Sequence, residues 1–292
     1  MQNQTKQHTL WLLAAASAPL AHFSGCGWFP ALMAAVVVLP LTLVPKSWEG
    51  MSRSLALIQI LWLGVVAGTL LKNTAAYWPS DNDLVVPLTL LALAAVTPKR
   101  SAPRIGAVLA FCAALLAIPI TVTGAAQLEP KWMRWTTGPW SAALSLVLLF
   151  PALPAVGEEQ KGRRSIWVGL LAVMLALLVQ GTISPEVAKS VEDPFYQTAR
   201  TLGCLEPVAS VGMTLGWYAM LIFLLDSAAA ITKNNDIGHK TAHVLLAGTA
   251  TLTLLVKWQP ELTFCSVLSA FLWILAPFLT KIKKSKKSEK RC

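Results

Sequence analysis

Long apolar runs alternate with short polar stretches along the whole chain. Ten of these runs approach or reach the ~17 to 25 residues that a helix needs to cross a bilayer. They lie approximately at 9–23, 28–45, 54–72, 84–98, 105–124, 137–156, 165–183, 208–232, 241–257 and 262–280, the first and fourth being short. This pattern predicts an all-α integral membrane protein with about ten transmembrane helices.

The composition supports a membrane protein. Hydrophobic residues make up 55% of the 292 residues and charged residues only 13%, which differs from the balance found in soluble domains. We expect one polytopic transmembrane domain over residues 1–280 and a basic cytoplasmic tail, KIKKSKKSEKRC, over residues 281–292. Lysines close to a bilayer are attracted to anionic lipid by ~1 kcal/mol each. The tail is therefore interpreted as a lipid anchor and not as a nucleic-acid site.

Positive charge is distributed unevenly between the two predicted sides of the membrane. With the amino terminus placed in the cytoplasm, 18 of the 24 Lys and Arg residues fall on the cytoplasmic side. The other side receives six: Lys72, Lys131, Arg134, Lys189, Arg200 and Lys257. This asymmetry follows the positive-inside rule and predicts that both termini are cytoplasmic.

No motif in the chain points to catalysis or to a cofactor. There is no serine elbow, no glycine-rich phosphate loop and no HExxH sequence, so we expect neither an enzyme nor a cofactor site. The five cysteines lack CxxC spacing and have no histidine at metal-ligand spacing, which argues against a metal site. Cys26 and Cys204 fall on the same predicted side, where they either pair or remain two free thiols.

Ten spans divide into two sets of five, as in transporters built from two inverted halves. In such folds the ligand lies on broken helices at matching positions, which here are the first and sixth segments. Proline frees backbone groups that a ligand can then satisfy. Between these segments we expect a ligand carboxylate or amine to be held at mid-membrane by five residues: Ser17, Ala18, Pro19, Ser141 and Ser145.

A polar stretch, DPFYQTARTLGCLEP at 193–207, separates the seventh and eighth segments. Pro194 is suited to the first turn of a helix. Three apolar residues then recur at helical spacing: Phe195, Ala199 and Leu202. The stretch is expected to form either an amphipathic helix on the bundle or a solvated loop. As a helix it is an extracellular lid, with Arg200 and Glu206 at the mouth of the site.

The region from Pro194 to Trp217 resembles the endospore germination permeases, the integral membrane B subunit of nutrient germinant receptors. The shared pattern is a proline, an arginine and a hydrophobic-glutamate pair before a span that contains a tryptophan. A second region is similar in spacing to the middle of that family, with Tyr77 and Trp78 before the fourth segment and Arg104 at the fifth.

This resemblance implies the amino acid/polyamine/organocation transporter fold. It implies a subunit that binds a small nutrient, expected to be an amino acid, and signals to a soluble-domain subunit and a lipoprotein during spore germination. The location implied is a bacterial cell membrane or inner spore membrane. Two alternatives remain open, namely a stand-alone amino acid secondary transporter and an assembly scaffold that has lost its site. Pro207 departs from the family pattern, in which a basic residue usually follows the glutamate.

Three polar residues in or beside the spans have two interpretations each. Asp226, in the eighth segment, either couples ions or bonds locally to Ser227 or Lys233. Gln59, in the third segment, either lines a ligand cavity or bonds a neighbouring helix. His22, at the end of the first segment, is either proton-sensitive or hydrogen-bonded to the adjoining loop.

Overall fold

The structure is a computed structural model that describes residues 2–41, 52–78, 82–97, 102–132, 161–203, 205–232, 237–256 and 262–275. Regular structure within these ranges is entirely helical, which confirms the all-α fold class. The α-helices are α1 (Gln2–His22), α2 (Trp28–Leu41), α3 (Arg53–Leu71), α4 (Val85–Val96), α5 (Ala102–Ala126), α6 (Lys161–Thr182), α7 (Pro185–Ser190), α8 (Pro194–Thr201), α9 (Glu206–Thr232), α10 (His239–Leu255) and α11 (Leu262–Ala270). Short 3₁₀ segments cover Ser24–Cys26, Lys72–Tyr77 and Pro130–Trp132, and a π-helical turn, Phe271–Leu275, continues α11.

The predicted apolar segments correspond to these helices. Every segment except the one at 137–156 coincides at least in part with a described helix, and 137–156 lies outside the described residues. Among the described residues, three helical stretches are long and apolar enough to cross a membrane: Arg53–Tyr77, Arg104–Ala126 and Glu206–Thr232. These stretches indicate a membrane-associated protein.

Helix α9 is the central helix of the described bundle. It packs against α1, α3, α4, α5, α8 and α10. Residues 219–225 are all buried, and no charged residue occurs between Glu206 and Asp226. A helix that is apolar on every side is stable only when other helices or lipid surround it.

Small residues allow α3 and α10 to approach closely. Gly64 and Gly68 form a GxxxG pattern on α3, a motif that brings membrane helices together. A Cβ at Gly64 would lie 2.7 Å from the carbonyl oxygen of Leu246, and one at Gly68 would lie 2.7 Å from that of Ala250. Any larger side chain at either glycine would therefore push the two helices apart.

Helix α1 continues through the residues at which a break was expected. Ser17, Ala18 and Pro19 all lie within the helix, so their amides are not exposed by a break, and that expectation was wrong. The proline stands in the last turn, where it removes one hydrogen bond while the N–H of Phe23 still donates to the Pro19 carbonyl at 3.1 Å. The chain leaves the helix only at Ser24–Cys26 and turns at Gly27, whose φ is 90°.

Helix α8 is the amphipathic helix predicted from the sequence. Asp193 caps it, since its Oδ1 accepts a hydrogen bond from the Tyr196 N–H at 2.8 Å, and Pro194 occupies the first turn. The three predicted apolar residues, Phe195, Ala199 and Leu202, are buried. Arg200 is exposed. The helical interpretation is confirmed, because the sequence contains both a local start signal and an apolar face.

Candidate functional site

A cavity of about 430 Å³ lies between α1, α5, α6 and α9. Small-molecule sites in proteins have volumes of roughly 300–1,000 Å³. Ser17 and Ala21 line it from α1, and Met213 lines it from α9. Phe195, which is 6% exposed, adds a wall from α8. Helix α8 therefore contributes directly to the cavity.

The described lining is almost entirely apolar. Its polar members are Ser17 and Thr121. Each hydroxyl donates to a carbonyl of its own helix at 2.8 Å, Ser17 to Ala14 and Thr121 to Ala117. A hydroxyl that donates one hydrogen bond retains acceptor capacity. This wall therefore suits a molecule with an apolar body and a hydrogen-bond donor directed at Ser17 or Thr121.

On the α5 side the cavity reaches the surface of the bundle. Ile118 and Val122 line the cavity, yet they are 54% and 64% exposed. Phe111 on the same helix is also 64% exposed. Since α5 belongs to one of the three membrane-length stretches, these exposed apolar side chains are of the kind that face lipid.

Two glycines of α9 lie at or beside the cavity. A Cβ at Gly216 would lie 2.8 Å from the Ala18 Cβ and 2.9 Å from the Ser17 Oγ, so the contact between α1 and α9 requires glycine. Gly212 lines the cavity, and a Cβ there would meet only the Leu116 Cβ, at 3.7 Å. The space beside Gly212 thus depends on the absence of a side chain.

A buried polar cluster lies where α1 ends and α8 begins. We call it the Asp193 cluster, and it consists of Asp193, His22 and Tyr77. The Nδ1–H of His22 donates to Asp193 Oδ2 at 2.8 Å, and the Tyr77 hydroxyl donates to the same oxygen. The exposed fractions are 7% for Asp193, 6% for His22 and 2% for Tyr77. His22 is thus hydrogen-bonded, but its partner lies 171 residues away and not in the adjoining loop.

A second polar contact joins α8 to the start of α9. The Tyr196 hydroxyl donates to Glu206 Oε1 at 2.7 Å. Burial raises the pKa of the Tyr196 phenol, and the hydrogen bond to Glu206 raises it further, while the charge of Arg200 acts in the opposite direction. Glu206 therefore joins Tyr196 of α8 to the start of α9, and Arg200 lies in the last turn of α8.

The predicted ligand residues are only partly brought together. Ser17 lines the cavity, whereas Ala18 and Pro19 are buried in the helix behind it, with Ala18 against Gly216. Ser141 and Ser145 lie outside the described residues, as does Cys204.

Gln59 and Asp226 lie apart from the cavity lining. Gln59 is fully buried, and its Nε2 donates to the Leu272 carbonyl at 2.6 Å, so it joins α3 to the π-helical turn. This is the interhelical hydrogen bond considered for Gln59 from the sequence. Asp226 is half-buried in α9, next to Ser227, whose hydroxyl donates to the Phe223 carbonyl at 2.9 Å.

Sequence reasoning assigned no site role to three residues of this region: Asp193, Tyr77 and Gly212. The Asp-Pro pair at the start of α8 was a visible N-cap signal. That signal explains only the bond from Oδ1 to the helix, because the contacts of Oδ2 come from distant parts of the chain. No local pattern marks Gly212 as part of a cavity wall.

In comparisons with known proteins, no family model and no curated protein matches this chain.

Proposed function

We propose that this protein is a spore germination permease-like subunit of a nutrient germinant receptor. In this proposal it binds a small nutrient, an amino acid, within the membrane and passes the signal to partner subunits. The observation that carries the proposal is the cavity of about 430 Å³ that Ser17 lines and to which Phe195 of α8 contributes a wall. Its volume and its position between helices are typical of a small-ligand site.

The chemistry of the wall indicates how an amino acid would lie in the cavity. The apolar side chain of the ligand contacts Phe195 and Met213, where burial contributes ~25 cal/mol per Å² of apolar surface. The hydroxyl oxygen of Ser17 is available as an acceptor for the ligand ammonium, and in this proposal Ser141 and Ser145 of the sixth predicted segment hold the ligand carboxylate. Amino acids with aliphatic side chains are therefore expected to bind more tightly than aspartate or serine, which would leave polar groups without partners in the cavity.

The remaining parts of the proposal concern topology and partners. The chain forms ten spans in a five-plus-five inverted repeat, with both termini in the cytoplasm and the basic tail on anionic lipid. Helix α8 then lies at the extracellular side as a lid, with Arg200 and Glu206 at the mouth of the cavity. The partners are the soluble-domain subunit and the lipoprotein of a germinant receptor.

Filling the cavity tests the proposal. Gly212→Leu places a side chain in the space beside α9, where a Cβ meets only the Leu116 Cβ at 3.7 Å. Gly248→Leu is a matched control on α10, since a Cβ there meets nothing within 4 Å. We expect the purified protein to bind an aliphatic amino acid in calorimetric titration. Gly212→Leu should weaken that binding about tenfold or more, equivalent to ~1.4 kcal/mol, and Gly248→Leu should leave it unchanged.

Two results would contradict the proposal. The first is that no amino acid binds the purified protein, and the second is that Gly212→Leu binds as tightly as Gly248→Leu. Uptake of a labelled amino acid into vesicles that contain this chain alone would favour the secondary transporter instead. Genes for a soluble-domain receptor subunit and a lipoprotein beside this gene would support the receptor.

A further inference from the structure

We propose that Asp193 is a positioning residue that holds α8 against the cavity, with His22 and Tyr77 as its fixed partners. This inference deepens the proposed function, and it rests on that function only in taking the cavity to be a ligand site. It concerns how the wall that α8 adds to the cavity is held in place, and the Asp193 cluster is the device that holds it.

The carboxylate of Asp193 joins three separate parts of the chain. Its Oδ1 accepts from the Tyr196 N–H inside α8. Its Oδ2 accepts from His22 at the end of α1 and from Tyr77 in the 3₁₀ segment after α3. Since Asp193 precedes α8 directly, these bonds fix the amino-terminal end of α8 on the bundle.

The bonds to Oδ2 are more than the start of a helix requires. An N-cap needs one side-chain oxygen for the first turn, and serine or asparagine serves as well as aspartate. Burying a carboxylate is costly unless its oxygens are paired, and Asp193 is only 7% exposed. The two additional donors, His22 and Tyr77, therefore serve the attachment of α8 to the bundle and not the formation of the helix.

The cluster directly adjoins the cavity. Phe195 lines the cavity two residues after Asp193, and Ala21 lines it one residue before His22. Pro194 packs on the 3₁₀ segment after α1, where a Cβ at Gly25 would lie 2.6 Å from the Pro194 Cγ. When α8 moves away from the bundle, Phe195 must leave the cavity wall, and the bonds from His22 and Tyr77 to Asp193 Oδ2 must break.

Aromatic contacts complete the attachment. The Tyr77 and Tyr196 ring centroids are 5.4 Å apart, with the planes at 67°. The His22 ring lies 6.3 Å from the Trp217 ring of α9, at 66°. Such edge-on contacts add to the stabilisation from burial, so the polar bonds lie among packed aromatic rings.

The test measures access to the cavity in the full chain. Ser17→Cys is introduced after replacement of the native cysteines, and the purified protein is treated with a charged methanethiosulfonate reagent. Asp193→Asn keeps the helix cap but removes the carboxylate, and Tyr77→Phe removes one hydroxyl. Loss of one buried hydrogen bond corresponds to roughly a tenfold change in the open population. We therefore expect about tenfold faster modification of Ser17→Cys in both variants.

Two controls separate local opening from general loosening. Tyr218→Phe is the matched variant, since the Tyr218 hydroxyl pairs with Thr97 Oγ1 at 2.8 Å, away from α8. It should leave the modification rate unchanged. Cys265, which is 1% exposed on α11, is retained alone in a parallel set of variants and should stay equally protected in all of them.

Two results would overturn the proposal. One is an unchanged rate at Ser17→Cys in both Asp193→Asn and Tyr77→Phe. The other is an equal rise at Cys265, which would show that the cluster stabilises the whole bundle. No amino acid is added in the modification experiment. Its failure therefore leaves the calorimetric test of amino acid binding unaffected, and failure of the calorimetric test leaves the modification experiment valid.

Discussion

The Nδ1 of His22 lies 2.8 Å from the Oδ2 of Asp193, although 171 residues separate them in the chain. His22 is the last residue of α1, and Asp193 is the residue before α8. Both side chains are buried. Their contact thus joins a bundle helix to a short helix that contributes to the cavity, and each residue satisfies a polar group that would be costly to leave without a partner.

Replacing His22 by leucine is expected to destabilise the protein. It removes one of the two side-chain donors to Asp193 Oδ2, and a buried polar group that loses a partner costs ~1–3 kcal/mol. Chemical unfolding in detergent measures the change. His22→Asn retains a donor near the Nδ1 position and should recover part of the loss, whereas equal loss in both variants would mean that ring packing, not the hydrogen bond, is responsible.

Replacing Gly216 by valine should separate α9 from α1. A Cβ at this position would already lie 2.8 Å from the Ala18 Cβ, and overpacking of this kind costs ~1–3 kcal/mol. We expect a lower thermal midpoint and weaker ligand binding, since Ser17 lines the cavity beside this contact. Gly248→Val on α10 is the control, because a Cβ there is free of contacts within 4 Å. Equal midpoints for the two variants would contradict the contact.

Gln59→Leu should lower stability without changing ligand affinity. The variant loses the bond from Gln59 Nε2 to the Leu272 carbonyl, and hydrogen bonds between membrane helices contribute ~0.6–2 kcal/mol. Gln59 lies apart from the cavity lining, so the dissociation constant for an amino acid should match that of the parent chain. A changed constant at equal stability would restore the interpretation that Gln59 lines a ligand site.

Under the proposed germinant-receptor function, Arg200→Ala is expected to weaken the nutrient response of spores only modestly. Arg200 is exposed in the last turn of α8, and exposed charges contribute ~0–1 kcal/mol. The dose response should shift by less than about tenfold. Lys189→Ala, an exposed basic residue of α7, is the matched control at equal protein level. Complete loss of response in Arg200→Ala would show that its charge has a direct role in the signal.

The stabilising effect of the Tyr196 hydroxyl should decrease at alkaline pH. Burial raises the pKa of Tyr196, and Glu206 raises it further, so the fold favours the neutral phenol. The hydroxyl contributes fully to stability at a pH below the ordinary tyrosine pKa of ~10. This contribution is lost as the pH rises through the folded-state pKa. The difference in unfolding midpoint between the parent and Tyr196→Phe should be constant from about pH 7 to 9 and decrease above about pH 10. A pH-independent difference would contradict the assignment.

Within the described residues, the sequence by itself determined where the long helices form. Helix formation depends on local hydrogen bonds and on apolar residues spaced along one segment, and both are present in the order of residues. The start of α8 was predictable for the same reason, since Asp193 and Pro194 are neighbours and their effect on the backbone is local.

Only the tertiary structure decided which faces of the helices meet. The sequence favoured a break in α1 at Ser17–Pro19. In the structure α1 is unbroken there, and it packs closely against Gly216 of α9. The Asp193 cluster was also decided only by the tertiary structure, because its members come from the end of α1, the segment after α3 and the start of α8. Contacts between distant segments depend on the packing of whole surfaces, and no pattern within one segment specifies its partner.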